Sequence, residues 1–212
     1  DEERRGKLAD VDFILNATAK LSKELIACAP RLKLIQHQGV GYDATDVNAA
    51  KARGIPIGLT PEGTSIGVAE HTILLILAVY KRLVIAHNSL GQGEWFQFAL
   101  RPVSFELSGK TLGLIGFGRI GQEVAKRARA FDANIIYYDK YTQLAPEEKA
   151  ALGAREVSST ELLKEADIVS LHLPATAETK QMINREVFRA MKNAAILINT
   201  SRGSLVDEAA LC

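Results

Sequence analysis

Cysteine is scarce in this chain. Its two cysteines, Cys28 and Cys212, cannot build a disulfide framework and lack zinc-ligand spacing. Cys28 lies among apolar residues and reads as a buried small hydrophobe. Such usage suits a reducing cytosol, so a cytoplasmic location is expected. Net charge is missing as well: 26 Lys plus Arg against 25 Asp plus Glu leave +1. No field of one sign exists to attract nucleic acid or an anionic membrane, and each charge cluster reads as a solvated face. Long hydrophobic runs are absent too. The longest, Ile73 to Tyr80, falls far short of the roughly 20 residues that a membrane span needs. No basic-then-apolar leader opens the chain. The first five residues, from Asp1 to Arg5, are mixed in sign and read as a frayed end or the remnant of a cut helix. What remains is 212 residues, 47% hydrophobic and 24% charged, the composition of a globular protein with one large or two small domains.

Short β-branched runs alternate with helical periods, the pattern of a parallel sheet with helices on its faces. Strands are expected at 13–15, 34–36 and 55–57, with helices at 22–28 and 46–53. A long helix should begin at Thr64 or Ser65 and run toward Ala86, mostly buried because it is apolar over several turns. Residues 88–109 carry Gly91, Gly93, Pro102 and Gly109 and read as an irregular crossing between two units. The expected division is therefore 1–86 and 87–212. In the second unit strands are expected at 111–115, 135–138, 155–157, 168–171 and 195–198. Helices should cover 120–131, 146–152, 184–191 and a stretch after Ser158, where Ser158 and Glu161 form a capping box.

Gly116-Phe117-Gly118-Arg119-Ile120-Gly121 is a G-x-G-x-x-G run that directly follows a strand and opens a helix. Gly116 permits a tight turn, Gly118 lets a pyrophosphate approach the backbone, and Gly121 allows close helix packing. The helix N-terminus offers free N–H groups and partial positive charge to phosphates. Asp139, roughly 20 positions beyond the glycines, stands where a carboxylate would accept hydrogen bonds from a ribose. A 2′-phosphate would meet like charge there, so NAD is favoured over NADP, with Lys140 beside it softening the preference. The competing reading is a glycine-rich turn of a methyltransferase or of a plain α/β protein.

Three later turns follow strands. His172-Leu173-Pro174 should line the cofactor path, and His172 reads as structural rather than as a general base. Arg202, in Asn199-Thr200-Ser201-Arg202-Gly203, offers a planar fork that can grip an α-carboxylate and polarise a neighbouring carbonyl; the alternative is a surface arginine in a turn. Gly39-Val40-Gly41 can form an anion-binding nest, although on spacing alone a plain turn is the simpler reading.

Taken together, several stretches resemble the D-isomer-specific 2-hydroxyacid dehydrogenase family. They are Gly39-Val40-Gly41-Tyr42-Asp43, Thr60-Pro61 with Val68-Ala69-Glu70-His71-Thr72, and Leu107-Ser108-Gly109-Lys110-Thr111-Leu112-Gly113 running into the glycine loop. His172-Leu173-Pro174, the Arg202 turn and Val206-Asp207-Glu208 complete the set. The resemblance implies two doubly wound parallel-sheet domains, both partial: a flavodoxin-like substrate domain and a Rossmann NAD-binding domain, with the active site in the cleft between them. It implies hydride transfer between NAD and C2 of a small 2-hydroxy or 2-oxo acid, in a homodimer. Val40 and Gly41 would meet the substrate carboxylate or the nicotinamide end, and Arg202 would be the catalytic, substrate-binding arginine. Gly116, Gly118, Arg119, Ile120 and Gly121 would hold the pyrophosphate and Asp139 the ribose. Leu173, Pro174, Thr200 and Ser201 would meet the rest of the cofactor. No metal is implied. None of the four histidines (His37, His71, His87, His172) matches the family's catalytic position, which the resemblance places after residue 212 together with its glutamate. The chain as written is therefore expected to bind NAD weakly and to turn over poorly. The competing class is a catalytically silent NAD-binding module.

Overall fold

The computed structural model describes residues 2–212; Asp1, the first residue of the expected frayed end, lies outside them. Contacts divide the chain into two compact units, 1–64 and 65–212.

The first unit begins with α1 (Glu2–Leu8), β1 (Phe13–Asn16), α2 (Lys23–Ala27) and β2 (Leu34–His37), and ends with α3 (Val47–Ala52) and β3 (Ile57–Gly58). Local chemistry starts its helices. Ser22 caps α2 by accepting from the Leu25 amide, and Asp46 caps α3 by accepting from Ala49. The strands are parallel in the order β1-β2-β3. With no reversal in that order, right-handed crossovers carry α2 and α3 to one face of the sheet. Leu25, Ile26, Ile35 and Ala50 form the core there, while Phe13 and Leu15 of β1 are exposed. The third strand begins later than its apolar run, because Pro56 has no N–H for a ladder; its carbonyl still accepts from Ile35.

The second unit opens with α4 (Ser65–Tyr80) and α5 (Leu83–Gly91), then a 3₁₀ turn (Arg101–Val103). The single long helix expected from 64 to 86 is in fact two. Arg82 takes a left-handed conformation (φ 52°), which stops α4, and its Nε donates to the Val103 carbonyl at 2.9 Å. The expected boundary at 86/87 moves forward for a packing reason. Ala69, Ile73, Ile76 and Tyr80 of α4 share one core with Leu112, Leu114, Val124 and Ala128 of the glycine-loop half.

Then follow β4 (Thr111–Ile115), α6 (Arg119–Arg129), β5 (Asn134–Tyr138), α7 (Pro146–Leu152) and β6 (Ala154–Glu156). After them come α8 (Ser159–Glu165), β7 (Ile168–Leu171), α9 (Arg185–Ala190), β8 (Ile196–Asn199), a 3₁₀ turn (Gly203–Leu205) and α10 (Glu208–Leu211). Ser158 caps α8 by accepting from the Glu161 amide, one half of the expected capping box, while the Glu161 carboxylate accepts from Arg155 at 3.0 Å. The five strands are parallel in the order β6-β5-β4-β7-β8. Numbered within the unit this is 3-2-1-4-5, the Rossmann order, with its reversal between β4 and β7. Cores lie on both faces: one under α4 and α6, the other holding Ile115, Val169, Leu171, Leu162 and Leu205.

Candidate active site

Ligands of such sheets sit beyond the carboxyl ends of the strands, at the reversal of strand order. Here the register fixes that edge. Ile115, the last residue of β4, pairs with Tyr138 on one side and Leu171 on the other, and Leu171 pairs with Asn199. The next residue of each strand therefore stands in one row: Asp139, Gly116, His172, Thr200. Adjacent strands lie about 4.8 Å apart, so the row is about 14 Å long.

Gly116 turns the chain with φ +94°, and a Cβ there would lie 2.5 Å from the His172 carbonyl oxygen. Only glycine satisfies both demands. A Cβ on Gly118 would meet nothing within 4 Å, so open space lies in front of the residue that caps α6. Gly121 fits because a Cβ would strike the Gly116 carbonyl at 2.4 Å. The contact that Gly121 permits is thus helix against loop rather than helix against strand. Arg119 is exposed and Ile120 half-buried in the first turn of α6, where helix N–H groups have no partner within the helix. Phe117 is buried and stacks on Tyr137 at 3.9 Å, anchoring the loop to the sheet.

Asp139 faces the glycine loop. Its Oδ2 accepts from the Phe117 amide at 2.6 Å, and its Oδ1 accepts from Tyr141 and Thr142, each at 2.8 Å. Burial pushes this carboxyl up, but the three backbone amides outweigh it and hold the group below the usual aspartate value. The carboxylate is therefore ionised at neutral pH, and of its roughly four lone-pair sites about one stays open to a ribose hydroxyl.

On the other side of the row, the Ser201 hydroxyl donates to the Leu171 carbonyl at 2.7 Å. Asn199 closes the turn, accepting from the Ser201 amide and donating to the Arg202 carbonyl. The Thr200 hydroxyl lies 3.0 Å from that of Thr72 on α4. Arg202 is exposed, with Nη1 donating to the Ser201 carbonyl at 3.0 Å. Leu173 is half-buried and Pro174 exposed, and the Pro174 carbonyl accepts from the Thr179 hydroxyl at 2.7 Å. The sequence named Thr72 and Asn199 only within longer stretches and gave neither a role: Thr72 meets Thr200 across 128 residues of chain, and Asn199 bonds within its own turn. Sequence reasoning missed Glu178, which reaches Lys140 across 38 residues of chain.

His172 is not built for proton transfer. Its Nε2 lies 2.9 Å from the Ser170 hydroxyl, its Nδ1 is buried without a partner, and burial pushes the imidazole down to about 4. The structural reading of this residue agrees with that geometry. In the first unit, Val40 is exposed and Gly41 half-buried in the turn after β2, where the Gly39 carbonyl accepts from the Thr60 amide at 2.9 Å. Gly39 has φ +97°, which a turn there requires of glycine. Among the predicted residues, the eleven of the second unit thus gather along one sheet edge, and these two stand on another sheet.

The edge suits a dinucleotide on geometric grounds: an open approach at Gly118, first-turn amides of α6 that have no partner within the helix, and an ionised carboxylate on the neighbouring strand of the row. Comparison with known proteins agrees. Residues 73–212 match the family model described as D-isomer specific 2-hydroxyacid dehydrogenase, NAD binding domain. Over 97% of its length the chain is 44% identical to a glyoxylate reductase of Thermococcus litoralis. Over 99% it is 44% identical to a D-3-phosphoglycerate dehydrogenase of Methanocaldococcus jannaschii. It spans 63% and 40% of those relatives' lengths. A D-lactate dehydrogenase from Aquifex aeolicus, solved with NAD and lactic acid, superposes on 98% of the chain with a TM-score of 0.88 and 38% identity; the chain covers 61% of it. By sequence and by fold alike, the chain belongs to the D-isomer specific 2-hydroxyacid dehydrogenase family.

Proposed function

We propose that this chain binds NAD along the carboxyl edge of β5, β4, β7 and β8 and serves an oxidoreductase acting on a small D-2-hydroxy or 2-oxo acid. When bound, the cofactor supplies the hydride chemistry at C2 of the substrate. The residues of the chain bind and orient. The amides of Arg119 and Ile120 receive the pyrophosphate, and Gly116, Gly118 and Gly121 keep its approach clear. Asp139 accepts from the ribose hydroxyls. Leu173, Pro174, Thr200 and Ser201 line the remaining length. Arg202 grips the substrate carboxylate with its fork and stabilises charge at the carbonyl oxygen. On the first unit, the proposed substrate domain, Val40 and Gly41 in the turn after β2 are the residues assigned to substrate binding. A cytoplasmic homodimer fits the chain's sparse cysteines and the exposed apolar side chains between Leu83 and Phe105. No described helix is long and apolar enough to cross a membrane.

The observation that carries this reading is the row itself: glycine turn, carboxylate and the two later turns held in register at the reversal of strand order. The name of one relative, a glyoxylate reductase, favours a short 2-oxo acid as substrate. Glyoxylate, hydroxypyruvate and pyruvate should therefore each be titrated into the NADH-loaded chain. Saturable binding or NADH oxidation with one of them is expected, weakened about tenfold or more in Arg202→Gln and only partly restored in Arg202→Lys, which keeps the charge but loses the fork. Equal behaviour of Arg202→Gln and the parent chain would overturn the assignment of Arg202.

A further inference from the structure

We propose that Glu178, on the segment after β7, is a specificity-determining residue that favours NADH over NADPH by engaging the one cation in the turn beside Asp139. The proposal rests on the dinucleotide reading of the edge. After Asp139 the chain reads Lys140-Tyr141-Thr142, so Lys140 is the only side chain of this turn that could neutralise a 2′-phosphate. Its Nζ lies 3.1 and 3.4 Å from the two carboxylate oxygens of Glu178. The Tyr141 hydroxyl donates to the same carboxylate at 3.1 Å, and the Lys140 ammonium sits 5.3 Å from the centre of the Tyr141 ring. One carboxylate thus gathers the neighbouring cation and the neighbouring phenol.

The charge balance follows. Asp139 and Glu178 contribute two negative charges and Lys140 one positive, so the patch is net negative where the ribose would lie. A 2′-phosphate brings roughly −1.5 to −2 more at neutral pH. It would have to displace Glu178 to reach Lys140, whereas the free 2′-hydroxyl of NADH needs only an acceptor, which Asp139 provides. The hydrogen bond that Lys140 donates to Glu178 also holds the ammonium above its usual range, so the cation stays charged and committed to this partner. Both side chains are more than half exposed. The pair therefore adds little to folding, and removing it leaves the fold intact while changing the local field. Asp139 sets the basic preference. Glu178, distant in sequence, cancels the softening that Lys140 would otherwise introduce.

The test measures NADH and NADPH dissociation constants at low ionic strength for the parent chain, Glu178→Gln, Lys140→Gln and the double variant. Neutralising Glu178 is expected to tighten NADPH binding about three- to tenfold, as one unit charge within a few ångströms allows near a solvated surface. NADH affinity should change less than about twofold. The gain should vanish in the double variant and shrink as salt is raised. An unchanged NADPH affinity in Glu178→Gln, or a gain that survives loss of Lys140, overturns the role of Glu178 while leaving NADH binding in place. A parent chain that binds neither nucleotide overturns the dinucleotide reading and the proposal with it.

Discussion

The residues at the strand ends differ in what their surroundings let them do. Asp139 is kept ionised by three amides and stands ready as an acceptor. His172 is kept neutral by burial, its Nδ1 unpartnered. This has a measurable consequence. The folded-state value of about 4 lies below the usual 6.5, so the unfolded chain takes up a proton where the folded chain does not. Stability from neutral His172 is fully present above pH 6.5 and is lost as pH falls toward 4. Between pH 7 and pH 5 the loss should be about 2 kcal/mol. Urea unfolding at the two pH values, on the parent chain and on His172→Asn, measures it. The variant should lose most of this pH dependence, and an identical dependence in both proteins would refute the account of His172.

At the scale of elements, the glycine loop separates two jobs that a motif merges. Gly118→Ala adds a methyl into open space at φ −70°. The melting temperature should stay within a few degrees while NADH affinity falls about tenfold or more. Gly121→Ala drives a methyl into the Gly116 carbonyl, a backbone atom that cannot swing aside. It should lower both stability and affinity, by about 1–3 kcal/mol for the former. Thermal melts beside NADH titrations distinguish the two, and equal loss of stability in both variants would contradict the geometry. The loop was legible in the sequence because its chemistry is local: strand, three glycines, helix, carboxylate. So were the cap at Ser158 and the five strands of the second unit. Less legible was the end of α4. Leu83-Val84-Ile85 continues the apolar run past Tyr80, and nothing in Arg82 announces a left-handed turn; its hold on the Val103 carbonyl comes from a distant segment. For the same reason Thr72 behind Thr200 and Glu178 behind Lys140 were invisible. Their partners lie far along the chain, and single residues carry no period.

Across the whole molecule, two units each close their own core, and the second carries the complete row of strand ends. Its outer surface is less settled by folding. Trp95 and Phe98 are 71% and 72% exposed, and a cavity of about 260 Å³ lies against Leu90, Trp95 and Phe96. Apolar surface of this kind is costly to leave in water. Sedimentation velocity should find a dimer at micromolar concentration, dissociated by Trp95→Glu with Phe98→Glu; a monomer under all conditions would refute the proposed homodimer. Which small acid the proposed reaction would take was not legible in the sequence, since substrate size and polarity are read by pocket shape rather than by a motif. If NAD lies along the row of strand ends, a crystal structure of the chain grown with NADH will show the diphosphate against the Arg119 and Ile120 amides, with a ribose hydroxyl on Asp139. A dinucleotide bound elsewhere, or Asp139 turned from the ribose, would contradict it.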